Sequence, residues 1–148
     1  MSKVRVIRVD DVRCVSQGKY ITCTAFDNRP DNIRPAKRTA IGDVHGVSNG
    51  KKKFFTTDIE IHPDYRRQGH GRALVDAIEL EAKNKFDAKC FVADDVFDLH
   101  PNEQGFASAF WENQGYQMKW VTVKDDDGAE LHQMNGYKGD CKELGGKY

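Results

Sequence analysis

The order of hydrophobic patterns along the chain predicts an α/β fold: strand, helix, strand, helix and a closing hairpin around a mixed sheet. Three observations carry this reading. Phe54–Ile61 alternates, with Phe55, Thr57, Ile59 and Ile61 on one face and Phe54, Thr56, Asp58 and Glu60 on the other, as a strand requires. From about Gly69 to Lys85 the apolar residues Leu74, Ala77, Ile78, Ala82 and Phe86 recur at three- and four-residue spacing, the stripe of a buried helix face. Met118–Val123 and Ala129–Met134 flank the turn Asp125-Asp126-Asp127-Gly128 and read as the hairpin.

The remaining elements follow in order. Lys3–Val9 alternates Val and Ile with Arg and reads as a strand. Residues 10–40 are less regular. Val12–Val15 and Tyr20–Phe26 have strand composition around Ser16-Gln17-Gly18, and Arg29-Pro30 and Arg34-Pro35 interrupt any regular element. Ala40–Val47 is a further strand, and Ser48-Asn49-Gly50-Lys51 is a hairpin turn because Asn-Gly tolerates positive φ. Lys83 and Lys85 favour the end of the long helix through its dipole. Lys89–Ala93 is a short apolar strand. Pro101-Asn102 opens a second helix carrying Phe106, Ala109 and Phe110 on one side. Gly115 ends it as a left-handed cap, which packs Tyr116 back on Trp111. The tail GDCKELGGKY is expected to be loose.

Composition bounds the function classes. The 148 residues suffice for one domain, with 39% apolar and 31% charged residues placing the chain among globular proteins. No apolar run approaches the roughly 20 residues of a membrane span. The start MSKVRVIRVDD carries charge where a signal peptide needs an apolar run. Cys14, Cys23, Cys90 and Cys141 lack C-x-x-C spacing, so reduced thiols and a cytoplasmic location are expected. The five histidines form no paired ligand spacing, so no metal is expected. Basic and acidic residues balance at 23 each, so only local patches can attract nucleic acid, which is not the expected partner.

The chemistry concentrates in Ile59–Ala73, IEIHPDYRRQGHGRA. A strand enters a turn rich in glycine and arginine, and a helix starts within it. The first helical turn leaves about four N–H groups without intrahelical acceptors, and the dipole is positive there. Gly69 and Gly71 let an anion approach the backbone, and Arg66, Arg67 and Arg72 add charge, so a pyrophosphate is the natural guest. The turn is not a Walker loop, since no G-K-[ST] follows. Nor is it the dinucleotide fingerprint, which needs glycine where Leu74 stands.

Arg66-x-x-Gly69-x-Gly71, preceded by Ile61-His62-Pro63-Asp64-Tyr65, resembles the acyl-CoA-binding motif of the GNAT superfamily of N-acetyltransferases. Ala107–Tyr116, with Phe110, Trp111, Glu112 and Gly115, is similar to the family's A-x-x-F-Y-E-x-x-G-F segment. The resemblance covers about residues 40–134. Residues 1–39 fit loosely, because the family places two helices where this chain has β character.

The resemblance implies a GNAT-like mixed, mostly antiparallel central sheet with flanking helices, and acetyl-CoA as co-substrate. The amides of Gln68, Gly69, His70, Gly71 and Arg72 would hold the pyrophosphate, and the main chain of Ile59 and Ile61 would pair with the pantetheine arm. An amide at the end of that strand would stabilise the oxyanion. A neutral amine of a protein or small molecule would attack the acetyl group directly in a ternary complex, and a homodimer would fit the family. The chain departs from the family at its catalytic positions. The family's frequent strand glutamate is Phe55, its helix tyrosine is Trp111, and its cofactor-contacting asparagine is Gln104. Asp58, Glu60, Asp94 and Asp95 are the replacement carboxylates, His62 is a further base, and Tyr116 and Tyr137 are acids or core residues; Trp111 either packs on the pantetheine or fills the core. Two other readings stay open: a non-catalytic acyl-CoA-binding or interaction module, and a phosphate- or nucleic-acid-binding domain using Arg66, Arg67 and Arg72.

Overall fold

A computed structural model describes residues 12–30, 38–65, 69–96 and 107–141. Among these, the elements run β1 (Val12–Gln17), β2 (Tyr20–Pro30), β3 (Arg38–Ser48), β4 (Lys53–Ile61), a 3-10 turn (Pro63–Tyr65), α1 (His70–Phe86), β5 (Cys90–Ala93), α2 (Ala107–Asn113), β6 (Gln117–Lys124) and β7 (Glu130–Gly139). The seven strands form one sheet in the order β1-β2-β3-β4-β5-β7-β6. Every pairing is antiparallel except β4 with β5, which α1 connects in parallel. The expected mixed, mostly antiparallel sheet with a C-terminal hairpin is therefore present. The strand expected at Lys3–Val9 and the start of the second helix at Pro101-Asn102 lie outside the described residues.

The irregular N-terminal stretch is a hairpin. β1 and β2 pair through Gln17 and Tyr20, and Gly18 supplies the positive φ of 58° that the turn needs. The next hairpin is held by side chains: Asn49 Oδ1 accepts from the N–H of Lys51 and of Lys53, and Ser48 Oγ accepts from Gly50 N–H. At the end of α2, Gly115 takes φ 91°, Tyr116 N–H reaches the Trp111 carbonyl, and the two rings meet edge to face at 4.8 Å.

Helix α1 lies across one face of the sheet. Ala73, Leu74, Val75, Ala77, Ile78 and Ala82 are buried there with Ile21, Cys23, Val44, Phe54 and Phe91, and Trp111 and Tyr116 extend the same core. The buried Glu79 ties α1 to the hairpin, accepting from Tyr116 Oη at 2.7 Å and from Lys138 Nζ at 2.9 Å. Burial and the adjacent Glu79 charge push the Tyr116 hydroxyl pKa upward, so it stays a donor.

Two expectations are corrected by strand register. In the β3–β4 pair His45 lies opposite Asp58 and Gly46 opposite Thr56, so Thr57 is an extra residue, a β-bulge. The bulge shifts the alternation. Phe54, Thr56, Ile59 and Ile61 pair with Ser48, Gly46, Val44 and Gly42 on the α1 face, while Phe55, Asp58 and Glu60 pair with Val47, His45 and Asp43 on the other. The continuous alternation expected for Phe54–Ile61 therefore breaks at its middle.

The cysteines are the second correction, because all four are paired: Cys14 with Cys23 and Cys90 with Cys141. Cys14 and Cys23 are direct cross-strand partners in β1 and β2. Cys141 follows Gly139, the partner of Cys90 on β7. The bridge and the bond from Asp140 N–H to the Lys89 carbonyl fix the first residues of the stretch expected to be loose. Residues 142–148 lie outside the described residues.

Phe55 is half-buried and faces away from the helices, with the Lys53 ammonium 6.0 Å from its ring centroid. Phe55→Ala is therefore expected to cost about 1 kcal/mol in urea denaturation, the average for point substitutions, rather than the 3–5 kcal/mol of a core phenylalanine.

Candidate functional site

The site forms where β4 and β5 part. Their parallel pairing runs from Lys53 with Cys90 to Thr56 with Ala93, and Asp94 N–H closes it on the Thr56 carbonyl at 3.0 Å. β4 continues for five residues, Thr57–Ile61, without a β5 partner. Beyond the bulge β4 stays paired with β3, and His62 N–H reaches the Ile41 carbonyl at 2.8 Å. By the two-residue alternation of a strand, Glu60 faces β3 as His62 does, and Ile59 and Ile61 turn their main-chain groups towards the fork. Ile59 and Ile61 lie on the part of β4 beyond its last β5 partner, Thr56.

The chain then turns through Pro63–Tyr65, which Tyr65 anchors. Its hydroxyl donates to Asp27 Oδ2 on β2 at 3.2 Å, and its ring meets those of His62 and His70 at 6.1 Å each. Gly69 is the N-cap of α1, with φ 84° and ψ 3°, and its carbonyl accepts the first helical bond, from Ala73 N–H at 3.2 Å. The N–H groups of His70, Gly71 and Arg72 precede that bond and have no acceptor within the helix. A Cβ on Gly69 would meet nothing within 4 Å, so its glycine is set by the left-handed backbone and the space beside it is open. Gly71 has a different reason: a Cβ there would lie 2.8 Å from the Phe110 ring of α2. The helix start can approach α2 only because position 71 has no side chain.

A cleft of about 320 Å³ opens at this helix start, lined by Ile61, Tyr65, Gly69, His70, Gly71, Arg72, Phe110 and Gln114. Five of the residues expected around a cofactor (Ile61, Gly69, His70, Gly71 and Arg72) share this one opening. The His70 side chain is buried and Arg72 is exposed. Arg66, Arg67, Gln68 and Gln104 lie outside the described residues. Trp111 is only 4% exposed and packs between Phe110 and Tyr116, so its ring sits in the core and Phe110 lines the cleft instead.

Three of the candidate carboxylates share the opposite side of the sheet. Asp58 and Glu60 are exposed beside His45 and Asp43, which are 3.4 Å apart. Asp94, half-buried at the fork, accepts from Gln133 Nε2 at 2.9 Å. Tyr65, Phe110, Gln114, Gln133 and Asn135 were not singled out in the sequence as site residues. Tyr65 carried a signal in the motif Ile61–Tyr65, and Phe110 carried one in the helix segment. Gln133 and Asn135 carried none, because alternating polar residues in a hairpin read as solvent-facing.

Residues 23–118 match the family model of the acetyltransferase (GNAT) domain. The match spans well over half of the chain, and the chain belongs to the GNAT acetyltransferases. Its fold is similar to NAA60 of Arabidopsis thaliana in complex with acetyl-CoA, with TM-score 0.58 and 13% identity over 84% of this chain and 78% of that one. It is also similar to an aminoglycoside 6'-N-acetyltransferase complexed with coenzyme A, with TM-score 0.56 and 13% identity over 82% and 73% of the two chains. A nourseothricin acetyltransferase matches with TM-score 0.58 and 20% identity over 82% and 65%. No curated protein matches the chain in sequence. Among the described residues no helix is long and apolar enough to cross a membrane, and no cluster of His, Cys, Asp and Glu is placed to hold a metal.

Proposed function

We propose that the chain is an N-acetyltransferase that moves the acetyl group of acetyl-CoA to an amine of a protein or small molecule by direct attack. The observation that carries this is the junction of two features: a strand fork ending at Thr56 and Ala93, and an open helix start at Gly69–Arg72 beside Ile61. The N–H groups of the first α1 turn would hold the pyrophosphate. The main chain of Ile59 and Ile61 would bind the pantetheine amides as a missing strand would. This leaves the thioester at the fork, where an N–H of the bulged segment can stabilise the oxyanion. The family relatives in complex with acetyl-CoA and coenzyme A support the choice of co-substrate.

Phe55 cannot accept a proton and the buried Trp111 cannot give one, so proton transfer falls to other residues. The cytoplasmic location expected from the sequence drew on its charged start and on the cysteine spacing, and the two disulfides remove the second of these supports. Calorimetry with acetyl-CoA, followed by a screen of radiolabelled acetyl transfer to spermidine, kanamycin and peptides with free N-termini, tests the proposal. Binding with transfer to at least one acceptor class is expected. Binding without any transfer would instead favour a non-catalytic acyl-CoA-binding module, and absence of binding would end the reading altogether.

A further inference from the structure

Resting on the acetyl-transfer reading above, the geometry points to Asp94 and Tyr137 as the proton-transfer pair of the reaction, held in place by Gln133 and Asn135. Asp94 is the first residue past the fork, its N–H bonded to Thr56 and its carboxylate to Gln133 Nε2 at 2.9 Å. The same Gln133 Nε2 donates to Asn135 Oδ1 at 2.9 Å, and Asn135 Nδ2 donates to Tyr137 Oη at 3.3 Å. Asn135 is fully buried, and its Oδ1 also accepts from Asp95 N–H at 3.0 Å, where Asp95 takes a left-handed φ of 53°. One amide therefore fixes both the turn that leads β5 away from β4 and the tyrosine hydroxyl. Tyr137 lies opposite Val92, which lies opposite Phe55, so the network sits on the sheet face away from α1. Its hydroxyl points along β7 towards Asn135 and hence towards the fork.

The side of the sheet matters. The cleft at the helix start lies on the α1 face, so an acyl arm threaded from it through the fork presents its thioester to the opposite face, where the amine must approach. That face carries Phe55 at the position of the family's strand glutamate, and it carries Asp94 and Tyr137. The amine lone pair forms the C–N bond while the C–S bond breaks and its electron pair passes to sulfur. Asp94 takes the proton released by the amine, and the Tyr137 hydroxyl gives its proton to the thiolate. The products are an amide and free CoA. The protonated Asp94 and the Tyr137 phenolate are reset by solvent with no net change in protons.

Among the described residues, the charged groups around Tyr137 are Asp94 past β5, Lys53 of β4, Lys119 of β6 and Asp140, the last three lining with Tyr137 a cavity of about 290 Å³. Burial pushes the Tyr137 hydroxyl pKa up, the Asn135 bond pulls it down and Asp94 adds to the rise, leaving it above its usual value of about 10. The hydroxyl is thus protonated, as a donor must be.

The test measures CoA release from acetyl-CoA with n-propylamine as acceptor, alongside calorimetric affinity for acetyl-CoA. Tyr137→Phe and Asp94→Asn are each expected to slow release about 100-fold, the lower end for general acid–base catalysis, with affinity for acetyl-CoA unchanged. The loss of rate at high pH in the wild type should disappear in Tyr137→Phe. Asn135→Asp keeps the acceptor for Asp95 N–H and removes the donor to Tyr137, so it should lower kcat and move the alkaline limb while leaving KM for acetyl-CoA in place. Equal rates in wild type and Tyr137→Phe would overturn the proposal. So would an affinity that falls in step with the rate, or a wild type that binds acetyl-CoA yet releases no CoA. Failure of the wild type to bind acetyl-CoA would overturn the acetyl-transfer reading itself.

Discussion

Gly69→Glu is expected to abolish acetyl-CoA binding while the protein stays folded. A Cβ at this position meets no atom of the described residues beyond its chain neighbours within 4 Å. The fold would bear only the left-handed backbone, with φ 84°, which costs a non-glycine residue roughly 1–2 kcal/mol. Binding suffers far more. A carboxylate at the N-cap would sit where, on the proposed reading, the N–H groups of His70, Gly71 and Arg72 meet the pyrophosphate, and it would satisfy those donors itself. One negative charge about 4 Å from another costs about 4 kcal/mol at an effective dielectric of 20, or roughly three orders of magnitude in affinity. Gly69→Gln is the control, since it imposes the same backbone strain without the charge. Calorimetry should show the glutamine variant retaining most of its affinity and the glutamate variant losing measurable binding. Equal affinities in the two would remove the anion from this helix start.

Phe54→Ala should be the most damaging core truncation on β4. Phe54 is fully buried, its ring stacks on Phe86 with centroids 6.5 Å apart, and it fills the space over Gly46 where a Cβ would stand. Neither neighbour can collapse into the void, because Gly46 has no side chain to move and Phe86 is fixed at the end of α1. The expected loss is about 3–5 kcal/mol in urea denaturation, a large part of the stability of a domain this size. The adjacent Phe55→Ala should lose about 1 kcal/mol, and this contrast between consecutive phenylalanines reports the direction of the strand. Similar losses at both positions would mean that the sheet is covered on both faces at this row.

These two residues also mark how far the sequence could be read. The β4 strand was legible from its alternation and α1 from its three-four spacing, because both are imposed by burying one face, and burial is written in residue type. The face assignment failed at Thr57, since a bulge costs one residue and leaves no mark when the extra residue is small and polar. Pairing of Cys14 with Cys23 was hidden for a related reason: it depends on the register of β1 against β2, which the nine-residue separation alone does not specify. The glycine turn at 69–71 was legible as a helix start, yet the two glycines serve different needs, one a left-handed cap and one a close approach to Phe110. Asp94 and Tyr137 were each legible as candidates, but the polar chain joining them was not, because Gln133, Asn135 and Tyr137 are two residues apart on a strand and only the fold brings Asp94 to them.

Main-chain nitrogens would hold the pyrophosphate, and amide NMR observes them directly. Titration of the 15N-labelled protein should move the amide signals of Gly69, His70, Gly71 and Arg72 on adding acetyl-CoA, and leave them in place on adding acetyl-pantetheine, which lacks the pyrophosphate. Ile59 and Ile61 should respond to both ligands. Saturation with acetyl-CoA that leaves residues 69–72 unmoved would remove the pyrophosphate from the start of α1.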